Sequence, residues 1–196
     1  MAAEGLTTAR ARRRDEGREL LYLAAERRYV EGSPFDIASL AADNGISRAT
    51  AYRWVGDNDR LLAEILRRRM RTAFREIESR HSARIGRDRV LAVIGDLLSG
   101  LATSHFQAYL ANDPIRLLGI VTSGKYPNQR DLVLLVQGLL EEEATRGHLR
   151  LSLDAHTLAY AIVRLAEAFV YSDIVAGERP DLDKALVIIG LLLPEL

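Results

Sequence analysis

The sequence predicts an all-α protein of about nine or ten helices. Three observations lead there. Apolar residues recur at i, i+3 and i+4 through most of the 196 residues. Capping and stopping residues separate the periodic stretches, among them Asp36, Asn44-Gly45, Asp113-Pro114 and Gly177. Five prolines and few alternating β-branched runs leave little material for a sheet.

Composition narrows the class. A hydrophobic content of 48% with 28% charged residues is that of a folded globular chain. No apolar run approaches the ~18–20 residues of a membrane span, and the N-terminal arginines precede no apolar signal region, so neither a membrane partner nor secretion is expected. Cysteine is absent, which removes disulfides and thiolate chemistry and fits a cytoplasmic protein. The net charge is zero, but residues 1–80 hold 16 Arg against 13 Asp+Glu, a balance of +3, and residues 81–196 hold the compensating −3. Of the 27 basic residues 25 are arginine.

Taken in order, residues 1–14 read as a flexible basic arm. Residues 1–9 lack periodicity, and Arg10, Arg12, Arg13 and Arg14 follow. This run is either a solvated cluster or an arm laid on DNA phosphates or into a minor groove. A first helix spans about Asp15 to Val30 and ends at Gly32-Ser33-Pro34. Leu20, Leu21, Ala24 and Tyr29 are expected to form a small core with Ile37, Leu40 and Ile46.

The stretch Asp36–Trp54, DIASLAADNGISRATAYRW, parses as two short helices joined by a tight turn. Asp36 can cap the first. Asn44-Gly45 suits the left-handed backbone that reverses the chain, and Ser47 can cap the second. Helices this short bury too little to stand alone and need the preceding one. The arrangement is that of a helix-turn-helix, whose second helix enters the major groove by its first turn. Arg48 can reach a guanine edge bidentately, while Thr50 can offer a methyl to thymine or a hydroxyl to phosphate. Ser47, Ala49 and Arg53 share that helix. Tyr52 and Trp54, two positions apart, cannot both point into the core, so Trp54 either packs inside or flanks the DNA. Asp57 then caps a long helix running to about Ser79, with a buried row through Leu61, Leu62, Ile65 and Phe74.

LAADNGISRATAYRW followed by VGDNDRLLAEIL resembles the DNA-binding domain of the tetracycline-repressor (TetR) family, over roughly residues 15–66. The resemblance implies that Tyr52 contacts a DNA phosphate and that the protein is a homodimer with a ligand chamber beyond the helix-turn-helix. Three positions depart from the family's pattern. Arg28 stands where an aliphatic residue is usual, Val55 replaces the common Phe, and Asn58 replaces a phosphate-binding Lys, whose charge Arg60 could supply. The expected DNA-binding set is thus Arg13, Arg14, Ser47, Arg48, Ala49, Thr50, Tyr52, Arg53, Trp54, Asn58 and Arg60. The domains are residues 15–56 for the helix-turn-helix and 57–196 for ligand binding and dimerisation.

Beyond residue 85 the chain is helical with punctuation. In LAYAIVRLAEAFVYSDIVAG (Leu158–Gly177), Tyr160, Arg164, Glu167 and Tyr171 recur at i, i+4, i+7 and i+11 on an otherwise apolar helix. That row is an exposed Arg–Glu pair, or the polar lining of a greasy chamber, or part of a dimer interface. The apolar remainder of the helix favours the chamber. Phe74, His105, Tyr109 and Gln137 are further candidates for contact with a small, mostly apolar effector. The stretch through Asp181 also resembles the ligand domain of TetR-type regulators that control the breakdown of lactone quorum signals. The last two apolar helices are expected to pair across the dimer. Glu141-Glu142-Glu143 reads as a solvated cluster. No metal-ligand spacing, phosphate loop or nucleophile motif occurs, so no cofactor and no enzyme are expected. The expected function is a ligand-responsive DNA-binding regulator, a repressor first and an activator or partner-binding protein as alternatives.

Overall fold

A computed structural model describes residues 2–103, 105–177 and 179–194, with the side chains of residues 2–10, 102, 103, 105, 108, 112 and 173 left out. Among the described residues there are eleven helices and no strand, and no helix is long and apolar enough to cross a membrane. The chain divides into two compact units, one up to Ile65 and one from Leu66 onward.

The first unit holds α1 (Ala2–Val30), α2 (Ile37–Asp43), α3 (Arg48–Val55) and the start of α4 (Asn58–Arg80). Helix α1 takes in the whole of the arm expected at residues 1–14 except Met1, which lies outside the described residues. The physical reason is local. Ala, Arg and Glu are strong helix formers, no proline interrupts them, and Arg12 and Glu16 pair one turn apart at 3.0 Å. Its buried row is Leu21, Tyr22, Ala25 and Tyr29. Leu20, expected in the core, is 45% exposed because the row is turned one residue further round the helix. These side chains meet Ile37, Leu40 and Ala41 of α2, Ala51 of α3, and Leu61, Leu62 and Ile65, all buried. The last three carry the boundary of the unit past residue 56 into α4.

Helix α2 is seven residues long, so its unpaired N–H groups weigh heavily. Asp36 accepts from Ala38 at 2.8 Å and Ser39 at 3.1 Å, and the Ser39 N–H above all holds its carboxyl below the usual carboxylate value. The remaining N–H, of Ile37, donates to Asn58 Oδ1 at 2.9 Å. Asn58 thus ties the start of α4 to the start of α2.

The second unit holds α5 (Gly86–Thr103), α6 (His105–Asn112), α7 (Pro114–Val121), α8 (Asn128–Thr145), α9 (Ala155–Val170), α10 (Ser172–Ala176) and α11 (Leu182–Leu191). Its most extensive packing is α8 on α9, followed by α11 against α9 and α5. Asp113, Asp154 and Asp181 cap α7, α9 and α11, accepting from Arg116, Thr157 and Lys184 respectively. The break between α9 and α10 at Tyr171 divides what the sequence presents as one helix.

Inside this unit the acidic cluster departs from expectation. Glu143 is 0% exposed. Its two oxygens accept from Arg89 Nη1 and from the Gly86 N–H, each at 2.5 Å, and Arg89, itself buried, also reaches Glu142 at 3.2 Å. Burial alone would raise the Glu143 pKa, yet the Gly86 and Arg89 contacts outweigh it and hold the carboxyl below its ordinary value. Glu143 therefore pins the start of α5 to the end of α8.

Two outcomes follow from these contacts. Glu143→Ala leaves Arg89 buried without its main partner, so denaturant unfolding should show a loss of about 3–5 kcal/mol. Because its folded-state pKa is depressed, the wild-type contribution is present above the unfolded carboxylate value and is lost as pH falls through the folded one, an acid-side slope the variant should lack. Asn58→Ala should cost about 1 kcal/mol, whereas Asn58→Asp, which keeps the acceptor, should leave the midpoint nearly unchanged.

Candidate nucleic-acid interface

The turn between α2 and α3 is built as the residues require. Asn44 closes α2, its Nδ2 donating to the Leu40 carbonyl at 2.8 Å. Gly45 takes a left-handed φ of 65°, and the Ile46 N–H returns to the Ala41 carbonyl at 2.8 Å. Ser47 opens α3, its Oγ accepting from the Thr50 N–H at 3.3 Å and donating to Thr50 Oγ1 at 2.9 Å.

Of the residues Ser47–Trp54 only Ala51 is buried. Ser47, Arg48, Ala49 and Arg53 are exposed, while Thr50, Tyr52 and Trp54 are half-buried. The Arg48 guanidinium lies over the Tyr52 ring, 5.5 Å from its centroid. Arg53 Nη2 donates to Thr50 Oγ1 at 3.4 Å. Two cations, three hydroxyls and an open helix face can meet phosphates and base edges together. Arg13, Arg14 and Arg60 are exposed as well.

Two sequence candidates for DNA contact are committed elsewhere. The Trp54 indole lies against the α1 backbone at Gly17, in the space where any Cβ would stand. It packs α3 against α1, and the ring is half-buried. The missed signal was Gly17 itself, since a glycine inside a helix costs roughly 0.5–1 kcal/mol and marks a close approach. Asn58 spends its carbonyl oxygen on Ile37, which leaves only its amide N–H groups for a phosphate.

The second unit separates the residues expected to form one polar row. Tyr160 is 50% exposed and Arg164 is exposed too, so they face outward from α9. Glu167 and Tyr171 face inward. Glu167 accepts from Gln129 of α8 at 3.2 and 2.9 Å and from Arg164 at 2.8 Å. Burial raises its pKa above the ordinary carboxylate value, with Gln129 and Arg164 opposing. The buried Tyr171 ring lies 6.2 Å from Phe106 of α6. Phe74 is fully buried and Tyr109 half-buried. Gln137 is occupied at the α8–α9 surface, bonded to Glu141 at 2.8 Å and His156 at 3.0 Å. The His105 side chain lies outside the described residues. Asp131, buried on α8, accepts from Arg67 at 3.1 Å and Arg71 at 2.9 Å of α4, partners 64 and 60 positions away that no local pattern announces.

The family described as tetracyclin repressor-like, C-terminal domain, matches residues 85–194, more than half of the chain. The chain is similar in structure to the transcriptional repressor QsdR from the TetR family of R. erythropolis, with 26% identity, 91% of this chain and 95% of that one covered, and a TM-score of 0.84. The fatty acid degradation regulator FadR of Bacillus halodurans is 16% identical over 89% of this chain and 93% of that one, with a TM-score of 0.55. FadR of Bacillus subtilis, solved with stearoyl-CoA, is 14% identical over 91% and 98%, with a TM-score of 0.57. These two likenesses speak to the fold alone. No curated protein sequence matches the chain. With an outward helix-turn-helix in one unit and this domain in the other, the chain belongs to the tetracycline-repressor family of DNA-binding transcriptional regulators, which act by binding and not by catalysis.

Proposed function

We propose that the protein is a homodimeric repressor that binds a near-palindromic operator and is released by a small, mostly apolar effector. The observation that carries this reading is the outward display of Ser47–Trp54, with Ala51 alone buried. Arg48 and Thr50 in the first turn are its base-reading residues, with Ser47, Ala49, Tyr52 and Arg53 beside them and Arg13, Arg14 and Arg60 on the phosphates. Two copies of α3 would enter successive major grooves about 34–36 Å apart, or further apart on a longer operator.

The second copy is argued from α9 and α11. Tyr160 on α9, and Val187 and Leu191 on α11 at 66% and 78%, stand exposed on helices that are otherwise apolar. Exposed apolar side chains grouped this way mark an association surface, and a two-fold dimer uses one such surface twice. On this reading Tyr160 and Arg164 belong to the interface. Glu167, Tyr171, Phe74 and Tyr109 remain the candidates for the effector chamber.

A lactone is the effector class supported by the resemblance of Leu158–Asp181 to regulators of lactone breakdown. To move the protein from 1:99 to 99:1 between DNA-competent and incompetent forms, the effector must prefer the latter by about 5.5 kcal/mol. A DNA-bound role implies a cytoplasmic location.

A gel shift with duplex from upstream of the protein's own gene tests the reading. Retardation is expected, and Arg48→Ala should abolish it while leaving the helical circular dichroism signal and sedimentation unchanged. Unshifted DNA with the wild type would favour a helical partner-binding protein instead. Val187→Glu with Leu191→Glu should give a species of single-chain mass by sedimentation and remove DNA binding; a persistent dimer would move the interface off α11.

A further inference from the structure

We infer that the Tyr52 ring is a positioning element in DNA recognition, a shelf that aims Arg48 at a base edge, whatever its hydroxyl meets. The inference rests on the reading of α3 as the DNA-reading helix and assigns the division of labour within it.

Residues 48 and 52 are one turn apart and share a face. The Arg48 guanidinium carbon stands 5.5 Å from the Tyr52 centroid, inside the range of an attraction between a cation and the ring face. Arg48 is exposed and Tyr52 half-buried, so the ring is anchored on one side and open on the other. An exposed arginine loses much rotamer freedom when it is fixed on a ligand. A ring one turn away reduces that loss by narrowing the rotamers beforehand.

The geometry of the two contacts makes them compatible. Stacking uses the flat π face of the guanidinium, whereas bidentate contact with guanine O6 and N7 uses the in-plane N–H edge. Arg48 can therefore rest on Tyr52 and read a guanine at the same time. The other groups of the helix are engaged differently. Thr50 Oγ1 already accepts from Ser47 at 2.9 Å and from Arg53 at 3.4 Å, so Arg53 is drawn toward Thr50. The Arg48 donors meet no hydrogen-bond acceptor among the described residues, and Asp36 acts on Arg48 only as a nearby charge.

The test needs no known operator. Full-length wild type, R48A, Y52F and Y52L would each select from a pool of duplexes carrying a randomised central segment, with circular dichroism as the folding check. The wild type is expected to recover a two-fold symmetric motif with a guanine at one position of each half. R48A should lose the preference at that position by on the order of 5- to 150-fold. Y52L should weaken the preference at the same position by about two- to fivefold and leave the preferences at the others intact, while Y52F, which keeps the ring, should recover the wild-type motif. A Y52F motif weakened at that position as much as that of Y52L would overturn the inference, and so would Y52L and R48A changing different positions. Y52M, a second variant without the ring, takes the place of Y52L if Y52L does not fold. A wild type that recovers no motif would instead remove the DNA-reading role of α3, a failure distinct from the other two.

Discussion

Helix α3 is eight residues long and buries one side chain, Ala51. Isolated helices shorter than ~12–15 residues are marginal in water, so nothing within α3 keeps it helical or fixes its direction. Its order comes from its ends and one side contact. Ser47 closes the first turn, Gly56 ends the last with a φ of 85°, and Trp54 lies on the bare backbone of α1 at Gly17. The seven residues of α2 depend likewise on Asp36 and on Asn58. A surface that must present many polar groups to DNA cannot also bury them, and this unit resolves the conflict by placing its constraints at helix termini.

The second unit puts its polar constraints inside. Glu143 is wholly buried yet ionised, because two strong donors replace the water it has lost. It fixes α5 to α8. Asp131 does the same for α4 and α8 through two arginines. Glu167 is the contrasting case: its partners fall short of its burial, and its charged form is disfavoured. Glu167 nonetheless ties α9 to α8 through Gln129.

Helix boundaries were the most legible part of the sequence. Asp36, Ser47, Asp113, Asp154 and Asp181 all cap as their spacing implies, because a cap is decided by the residue and the few that follow it. Features that depend on distant partners were not legible. Glu143 sits in a run of three glutamates and only Arg89, 54 positions away, distinguishes it from its neighbours. The α1 register departs from the expected one: Leu20 and Ala24 are expected in the core beside Leu21 and Tyr29, but the tertiary neighbours bury Tyr22 and Ala25 in their place. The polar row of α9 was real as a helical face, but its division into outward Tyr160 and inward Tyr171 follows from where α8 and α6 lie. The arm at residues 1–14 lacks an apolar period and so reads as flexible, although its strong helix formers and the Arg12–Glu16 pair favour α1 there.

The central claim is that the α3 surface meets duplex DNA twice per particle, through two copies of the chain. The mass of the protein–duplex complex, measured by sedimentation equilibrium at saturating protein, tests it most directly. The account predicts two chains per duplex, or a multiple of two. A saturated complex with a single chain per duplex would contradict it.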